Sequence, residues 1–274
     1  MRSNSDILID ADGTTHAPAG PDARIASFVP SITELLIDLG LAENLVARTQ
    51  FCIHPADAVK NITAVGGTKK VGIPKLKDIA PTHAVLNIDE NTKKMAEALR
   101  AFVPSVIVTH PIEPRDNFAL YRLLGGIFGK SREAEALCTR LLTAMSDLEA
   151  FARDLPVVRV CYFCWKDPWM TVSRDTYIAR TLALVNLESV RHDDTVRYPE
   201  VVIDEALFEE TDLFLFSSEP YAFSPEEIAA FAKAHGLPPE TCLPIDGEYT
   251  SWYGSRAIAA MAYLRRFTET LPHP

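Results

Sequence analysis

The loops that follow predicted strands carry most of the aromatic and charged side chains able to do chemistry. Phe51–Pro55 follows one strand, and Gly66–Lys70 contributes two adjacent lysines. Later in the chain, Trp165–Asp175, Ser217–Phe223 and Asp246–Arg256 each follow a strand. Aromatic rings on loops are costly to leave in water unless they line a pocket or an interface. We therefore interpret these loops as the sides of a ligand cleft. The alternative is that each loop packs against its own domain.

The side chains of these loops, together with Arg197–Pro199, predict the kind of ligand. The rings would supply apolar contact area, and the cationic side chains would pair with anionic groups of a bulky, partly planar ligand. Ligand contacts are predicted for Phe51, His54, Lys69, Lys70, Trp165, Trp169, Arg174, Tyr198, Tyr221, Glu248, Tyr249, Trp252 and Arg256.

Two histidines lie where open α/β sheets bind ligands. His54 and His110 each precede a proline just after a predicted strand, and ligands bind at the carboxyl ends of parallel strands. The favoured interpretation is hydrogen bonding. Ligation of a metal is the alternative, and together with Glu248 these histidines would make a metal-assisted hydrolase. No nucleophile–base pair stands at a diagnostic spacing, so we predict no catalytic residue and no enzyme.

The five cysteines do not predict a disulfide framework, because their number is odd and their spacing irregular. Cys161 and Cys164 form a C-x-x-C motif inside Val157–Cys164, which has the apolar pattern of a buried strand. Residues three apart on a strand point to opposite faces, so this pair cannot share a metal ion. Both thiols are predicted to be structural.

The segment Gly125–Ser131 is similar to a phosphate-binding loop but departs from the motif. Leu124 stands where the motif requires its first glycine, and the segment follows a helix, whereas the phosphate cradle needs a preceding strand. We predict no ATP binding here. Gly125 and Gly126 are interpreted as close-packing positions, and Gly129 as the end of a helix.

The elements that must position these loops alternate between strands and helices. Strands are predicted at Arg24–Phe28, Leu45–Thr49, His83–Ile88, Ser105–Thr109, Val157–Cys164, Asp212–Phe216 and Cys242–Asp246. Ser31 with Glu34, and Ser224 with Glu227, have the spacing of capping boxes that begin helices. This alternation predicts parallel sheets that are covered on both faces.

One helical pattern, Ser131–Leu155, has no glycine or proline and separates two series of strands. It would be about 37 Å long. We predict an α/β protein of two Rossmann-like lobes with parallel sheets, joined by one long backbone helix. The predicted boundaries are residues 1–129 for the N-terminal lobe, with a leading hairpin over 1–23, residues 130–155 for the helix and 156–274 for the C-terminal lobe.

Composition limits the classes of function. The 274 residues include 27 Lys and Arg against 37 Asp and Glu, and the formal charge of −10 argues against sequence-independent nucleic-acid binding. Hydrophobic residues make up 47%, which is typical of a folded globular protein. No apolar run approaches the roughly 20 residues that cross a bilayer. The first residues lack the features of a secretory signal, so we expect a cytosolic protein or one whose leader has been removed.

Several motifs occur in the order typical of a known family. Arg24–Pro55 contains Pro-Ser-x-Thr-Glu at a helix start, then a Gly-Leu turn and a second strand. Ile79–Asn87 and Asp204–Ser218 are similar to the family's strand entries, and Leu123–Leu137 to the entry of its backbone helix. Over about residues 24–270 the chain resembles the substrate-binding proteins of ABC importers for cobalamin and ferric siderophores.

The resemblance implies the class III periplasmic-binding-protein fold, with a ligand held in a cleft between the lobes. That ligand would be a metal chelate: a ferric siderophore, haem or a corrinoid, bound without a covalent cofactor. The family's cleft positions correspond to Phe51, Trp169, Tyr198, Glu248 and Tyr249 in this sequence.

The same resemblance implies a membrane permease as partner. Family members carry an acidic docking residue on each lobe. Asp204 or Glu205 occupies that place in the second lobe, and Asp78 is the only acid near the matching stretch of the first. The family implies a periplasmic location, and we expect a monomer. The alternative is a cytosolic binding or sensing module of the same fold without a permease partner.

Overall fold

The computed structural model describes residues 8–271, and its internal contacts divide the chain into two compact units. The first lobe comprises the chain up to Pro111, Arg115–Leu141 and Tyr253–Arg256. The second lobe comprises Ile112–Pro114, Leu142–Trp252 and the chain from Ala257. The predicted boundaries stay a prediction; Ile112–Pro114 and Tyr253–Arg256 are short segments that group with the lobe formed by distant parts of the sequence.

The first lobe is built on a five-stranded parallel sheet. Its strands are β1 (Ile25–Ser27), β2 (Leu45–Arg48), β3 (Thr63–Ala64), β4 (His83–Asn87) and β5 (Ser105–Thr109). They lie in the order β3-β2-β1-β4-β5, and every neighbouring pair is parallel. The four strands predicted here are confirmed. The sequence does not predict β3, because two residues are too few to show an alternating pattern.

The helices of the first lobe precede or follow these strands in turn. They are α1 (Pro30–Asp38), α2 (Ala56–Val59), α3 (Ile73–Ile79), α4 (Lys93–Arg100) and α5 (Asn117–Ile127), with 3₁₀ turns at Ala42–Asn44 and Pro114–Asp116. Leu76 of α3 and Leu99 of α4 pack with Ala26, Leu86 and Val106 of the sheet. These two helices thus bury an apolar stripe against the strands.

The backbone helix α6 (Ser131–Ala152) is continuous over 22 residues, which confirms the predicted single connecting helix. Its residues up to Leu141 belong to the first lobe and the remainder to the second. The side chain of Asn186 donates to the carbonyl oxygens of Ala152 at 3.2 Å and Leu155 at 2.8 Å. The bond to Ala152 satisfies a carbonyl that the helix leaves unpaired at its carboxyl end, and the bond to Leu155 holds the turn that follows the helix.

The second lobe contains a four-stranded parallel sheet of β6 (Val158–Phe163), β7 (Leu187–Ser189), β8 (Leu213–Ser217) and β9 (Cys242–Ile245), in the order β7-β6-β8-β9. Its helices are α7 (Tyr177–Ala183), α8 (Glu205–Glu210), α9 (Pro225–His235), α10 (Gly247–Ser251) and α11 (Arg256–Glu269), with a 3₁₀ turn at Pro239–Thr241. Phe163, Phe214 and Phe216 form a core with Phe231 of α9. Within residues 8–271 no helix has the length and apolar character needed to cross a membrane.

The two predicted capping boxes have different outcomes. Ser224 and Glu227 make both reciprocal bonds at the start of α9, which confirms the second box. The first prediction is wrong, because α1 begins at Pro30 with no side-chain cap, and Ser31 is buried inside its first turn. A proline at the first helical position lacks the N–H that a cap would satisfy. Glu34 is therefore available for a different contact.

Two glycines of α5 allow close packing. A Cβ on Gly125 would lie 2.5 Å from the Cβ of Ala134 in α6, and one on Gly126 would lie 2.5 Å from Leu8. Gly129 has a φ of 66°, a left-handed conformation that suits the residue after a helix. The interpretation of these glycines as packing and stop positions is confirmed.

A hairpin precedes β1 and covers the edge strand β5. Ile9 and Thr15 form an antiparallel bridge, and the Ala11 N–H donates to the Val108 carbonyl at 2.9 Å. The buried Asp10 carboxylate accepts the Val108 N–H at 3.0 Å and lies 2.9 Å from His16 Nε2. Covering an edge strand removes a site for unwanted pairing. The part of the predicted leading hairpin that precedes residue 8 lies outside the described residues.

All five cysteines lie within the described residues, and all are free and buried. Burial raises the pKa of Cys161 to about 12 and that of Cys164 to about 11. Cys161 packs in the core of the second lobe, and Cys164 Sγ donates to the carbonyl oxygens of Met170 and Thr171. The structural interpretation of the C-x-x-C motif is confirmed.

Candidate functional site

Large apolar side chains are exposed near the carboxyl edges of both sheets. Parallel strands all end at the same edge, so the loops that follow them lie together there. In the first lobe, Phe51, Ile53 and Ile88 are 52%, 53% and 48% exposed. In the second lobe, Trp165 after β6 and Val196 after β7 are 40% and 45% exposed. Their place after the strands, where open α/β sheets bind ligands, makes these side chains candidates for ligand contact.

Phe51 is turned outward by the loop after β2. Its neighbour Cys52 is fully buried, and Thr33 Oγ1 donates to the Cys52 sulfur at 3.1 Å. Because Cys52 is fixed in the interior, Phe51 and Ile53 on either side of it reach the surface. A Cβ on Gly67 would lie 3.2 Å from Phe51 Cε2, so only glycine leaves the ring undisturbed. His54, in the same loop, is half-buried.

Two acids that follow β4, Asp89 and Glu90, lie near Lys69. Lys69 Nζ donates to the Asp89 carbonyl oxygen at 2.7 Å, and Asp89 Oδ1 is 3.5 Å from His110 Nε2. Burial raises the pKa of Glu90, and the positive charge of Lys69 opposes that rise. Lys69 and Lys70 are both exposed, and the Lys69 ammonium already donates to a backbone carbonyl. The sequence signal for this cluster is the pair of acids directly after a predicted strand.

Trp165 and Tyr221 form an aromatic pair in the second lobe. Their ring centroids are 5.7 Å apart with an interplanar angle of 75°, an edge-to-face arrangement. Trp165 also forms an antiparallel bridge with Met170, which holds the loop after β6. The structure thus brings together two predicted site residues from loops that are more than 50 residues apart in the chain.

Trp169 has a different environment from Trp165. Its ring stacks on Phe223 with centroids 5.7 Å apart and planes at 8°, and it lies 4.8 Å from Phe163 and 5.3 Å from Phe231. These rings belong to the aromatic core of the second lobe. The alternative of packing against the chain's own domain therefore describes Trp169 better than ligand contact does.

Among the predicted site residues after β9, one is buried in the fold and two are partly accessible. Trp252 is only 7% exposed, and its Nε1 donates to Glu219 Oε1 at 2.6 Å. Tyr249 stacks on Tyr263 with centroids 4.8 Å apart. Trp252 is thus assigned to the fold, whereas Glu248 and Tyr249 keep half-buried side chains on α10.

Two of the predicted cationic residues have partners within their own lobes. Arg256 makes two bonds to Glu34, each of 2.8 Å, and the two side chains are 13% and 15% exposed. Arg174 Nε donates to the Ser189 carbonyl oxygen at 3.0 Å. The Arg256 guanidinium is therefore assigned to a structural ion pair rather than to an anionic ligand.

Tyr198 lies on a segment that pairs with the loop after β6. The Ser173 N–H donates to the Arg197 carbonyl at 2.8 Å, and the Thr171 N–H donates to the Pro199 carbonyl at 3.0 Å. These backbone bonds hold the residues on both sides of Tyr198, whose side chain is half-buried. The segment that carries Tyr198 is thus tied to the loop that carries Trp165.

The two predicted docking acids differ in their engagement. Asp204 Oδ1 accepts the Leu207 N–H at 2.9 Å and so caps α8. Glu205 is exposed on the first turn of the same helix, and Asp78 is exposed in α3. The Asp204 carboxylate is therefore engaged at the start of its own helix.

Within residues 8–271 no three or more His, Cys, Asp or Glu side chains converge in a way that could hold a metal ion. The His54, His110 and Glu248 side chains are therefore not assembled into the metal centre that a metal-assisted hydrolase would need.

Comparisons with known proteins agree with this geometry. A family model described as "Periplasmic binding protein" matches residues 25–235. A vitamin B12-binding protein of Vibrio vulnificus is 23% identical over 225 residues, which are 79% of this chain and 81% of that protein. A vitamin B12-binding protein of Photorhabdus laumondii is 20% identical over 212 residues, which are 77% of this chain and 76% of that protein.

Solved structures share the fold. The periplasmic vitamin B12 binding protein BtuF of Vibrio cholerae superposes with a TM-score of 0.78 at 17% identity, covering 91% of this chain and 97% of that structure. The periplasmic heme binding protein HutB of Vibrio cholerae gives a TM-score of 0.75 at 17% identity, covering 90% and 99%. The predicted class, two parallel α/β lobes joined by a backbone helix, is confirmed.

Proposed function

The chain belongs to the periplasmic binding protein family, and from this we propose that it is a solute-binding protein that captures a metal chelate for import by an ABC transporter. The ligand is of the class of cobalamin, haem or a ferric siderophore, held without a covalent bond. The similar proteins support this proposal, because their names state that they bind vitamin B12 or heme. The family consists of binding proteins rather than enzymes.

The observation that carries the proposal is the exposure of large apolar side chains near the carboxyl edges of the sheets. Phe51, Ile53 and Ile88 do this in the first lobe, and Trp165 does it in the second. Because each of these side chains is already about half buried, covering the rest would contribute roughly 0.8–1.5 kcal/mol for each residue. A broad, largely apolar chelate would recover that free energy on binding.

The charges support a ligand with few anionic groups in contact with the protein. Arg256 is paired with Glu34, Arg174 donates to a backbone carbonyl, and Lys69 lies beside Asp89. Among the predicted cationic residues, Lys69 and Lys70 are both exposed, and Lys70 is the better placed to pair with an anionic group because Lys69 already donates to a backbone carbonyl. The aromatic and apolar side chains would then supply most of the affinity.

We further propose that the loaded protein docks on a membrane permease and acts in the periplasm. The exposed Glu205 would provide the acidic contact of the second lobe. A cytosolic sensing module of the same fold is the competing proposal. Fractionation of the native source with a specific antibody tests the location, and recovery only in the cytosolic fraction would rule out transport.

Titration with cyanocobalamin, haemin and a ferric siderophore tests the ligand class. Trp165 is exposed, so its fluorescence should change when a ring system packs on it. A ligand present at about 100 times its dissociation constant should add about 2.7 kcal/mol to the free energy of unfolding and raise the melting temperature. If all three compounds leave fluorescence and melting temperature unchanged, the proposed ligand class is wrong.

A further inference from the structure

The carboxylate of Glu227 collects more bonds than its capping role requires. Its Oε1 accepts Lys166 Nζ at 2.8 Å and the Tyr221 hydroxyl at 2.7 Å. The other carboxylate oxygen, Oε2, accepts the Ser224 N–H at 3.0 Å. The backbone N–H of Glu227 donates to Ser224 Oγ at 3.2 Å. Only the two bonds with Ser224 belong to the capping box. The bonds from Lys166 and Tyr221 need another explanation.

These two bonds join separate loops to the start of α9. Lys166 lies in the loop after β6, and Tyr221 lies in the loop after β8. The bonds from Lys166, the Ser224 N–H and Tyr221 lower the pKa of Glu227 to about 2, so the carboxylate is ionised at neutral pH. An ionised carboxylate accepts stronger hydrogen bonds than a neutral group does. One side chain therefore fixes both loops to the helix.

Lys166 and Tyr221, the two residues bonded to Glu227, belong to or lie next to the aromatic pair of Trp165 and Tyr221. Tyr221 is one member of the pair, and Lys166 directly follows Trp165, the other member. The Tyr221 ring also lies 4.6 Å from Phe223, which packs on the core residue Trp169. The exposed Trp165 ring is thus supported by Tyr221, and Tyr221 is supported by the core and by Glu227.

We propose that Glu227 is a positioning residue for ligand binding, which holds Trp165 and Tyr221 as a preformed aromatic surface. This inference rests on the proposed function, because it assigns the aromatic pair to the chelate. A surface that is already ordered before binding loses less conformational entropy when the ligand arrives, and its affinity is higher for that reason. Because the Tyr221 hydroxyl donates to Glu227, Tyr221 offers the ligand its ring rather than its oxygen.

The test compares Glu227→Ala with Glu226→Ala. Glu226 is exposed on the same turn of α9, so this control removes the same charge without touching the aromatic pair. We expect Glu227→Ala to weaken binding of cyanocobalamin or haemin about tenfold, and Glu226→Ala to change it less than twofold. Ser224→Ala removes the cap but leaves Lys166 and Tyr221 bonded to Glu227. It should lower the melting temperature and leave affinity unchanged.

A double-mutant cycle separates positioning from general damage. If Glu227 acts through the aromatic pair, adding Glu227→Ala to the variant Trp165→Ala/Tyr221→Ala should weaken binding no further. An equal loss with and without the pair would overturn the inference, as would equal affinities for Glu227→Ala and Glu226→Ala. Where Glu227→Ala does not fold, Glu227→Gln retains a neutral acceptor and should give a smaller loss of the same pattern.

A measurement without ligand keeps this inference distinct from the proposed function. Acrylamide quenching of Trp165, taken as the difference from a Trp165→Phe variant, should be higher in Glu227→Ala than in Glu226→Ala. Equal quenching would overturn the positioning role even if the wild type binds a chelate. Higher quenching in a protein that binds none of cyanocobalamin, haemin and the ferric siderophore would support the positioning role and refute the proposed ligand class.

Discussion

Replacement of Arg256 by alanine separates a structural role from a ligand-binding role. The guanidinium of Arg256 and the carboxylate of Glu34 share two bonds of 2.8 Å, and the side chains are only 13% and 15% exposed. In Arg256→Ala, the Glu34 carboxylate would stay largely shielded from water without the cation that now offsets its charge. We therefore expect a loss of stability rather than of affinity.

The exposure of the pair sets the size of this effect. Breaking a fully buried ion pair costs about 3–5 kcal/mol, whereas an exposed pair contributes at most about 1 kcal/mol. This bidentate pair lies closer to the buried limit, so Arg256→Ala should lower the free energy of unfolding by about 2–3 kcal/mol. For a unit of this size the melting temperature should fall by about 5–10 °C. Urea titrations and thermal melts followed by circular dichroism measure both quantities.

The variant Glu34→Ala/Arg256→Ala is the control for the pair. If the two residues act mainly on one another, the double variant should be about as stable as either single variant. Affinity for cyanocobalamin or haemin should be unchanged in Arg256→Ala at a temperature where it is folded. A variant of wild-type stability that binds haemin more weakly would show that Arg256 contacts an anionic ligand and that this reasoning is wrong.

Trp165→Ala should weaken binding of cyanocobalamin or haemin by about 1–3 kcal/mol, measured by fluorescence titration. Trp169→Ala should instead lower the melting temperature, measured by thermal melts. The reverse outcome would show that Trp169 contacts the ligand and that Trp165 supports the fold. Gly125→Ala should lower the free energy of unfolding by about 1–3 kcal/mol in urea titrations. The Cβ of the introduced alanine would lie 2.5 Å from the Cβ of Ala134 in α6. An unchanged free energy of unfolding would mean that α5 and α6 can separate at little cost. Since the folded-state pKa of Glu227 is lowered from 4.5 to about 2, its charge stabilises the fold above about pH 4.5, and this contribution is lost as the pH falls toward 2. The difference in melting temperature between wild type and Glu227→Gln should therefore stay constant near neutral pH and shrink in acid, and a difference that grows on acidification would contradict the assignment.

The strands and the backbone helix could be predicted because their signals are local. Apolar runs such as Ser105–Thr109 and the unbroken pattern from Ser131 are read within a few turns of chain. The short strands β3 and β7 could not be predicted in this way. Their two and three residues become strands through pairing with β2 and β6, and that pairing depends on the neighbouring strand.

The candidate site was predicted at the level of loops, and single side chains within those loops were not resolved. Trp165 and Trp169 occupy the same predicted loop, yet one is exposed beside Tyr221 and the other packs on Phe223. Both are tryptophans next to charged or proline residues. Which of them meets the core depends on the position of α9 and its Phe231, and the loop sequence carries no information about that position.

The sequence alone determined the two series of parallel strands, the helix that joins them and the aromatic character of the loops, because periodicity and residue type act over a few neighbours. The partners of the charged groups, in contrast, are set by long-range contacts that exist only in the folded protein. Glu34 has the spacing of a capping residue, but it pairs with Arg256, which is 222 residues away. Glu227 has the same spacing and does cap its helix, yet it also holds Lys166 and Tyr221. Hydrogen bonds and ion pairs act over a few ångströms, so their partners are fixed only when the folded chain brings distant segments into contact.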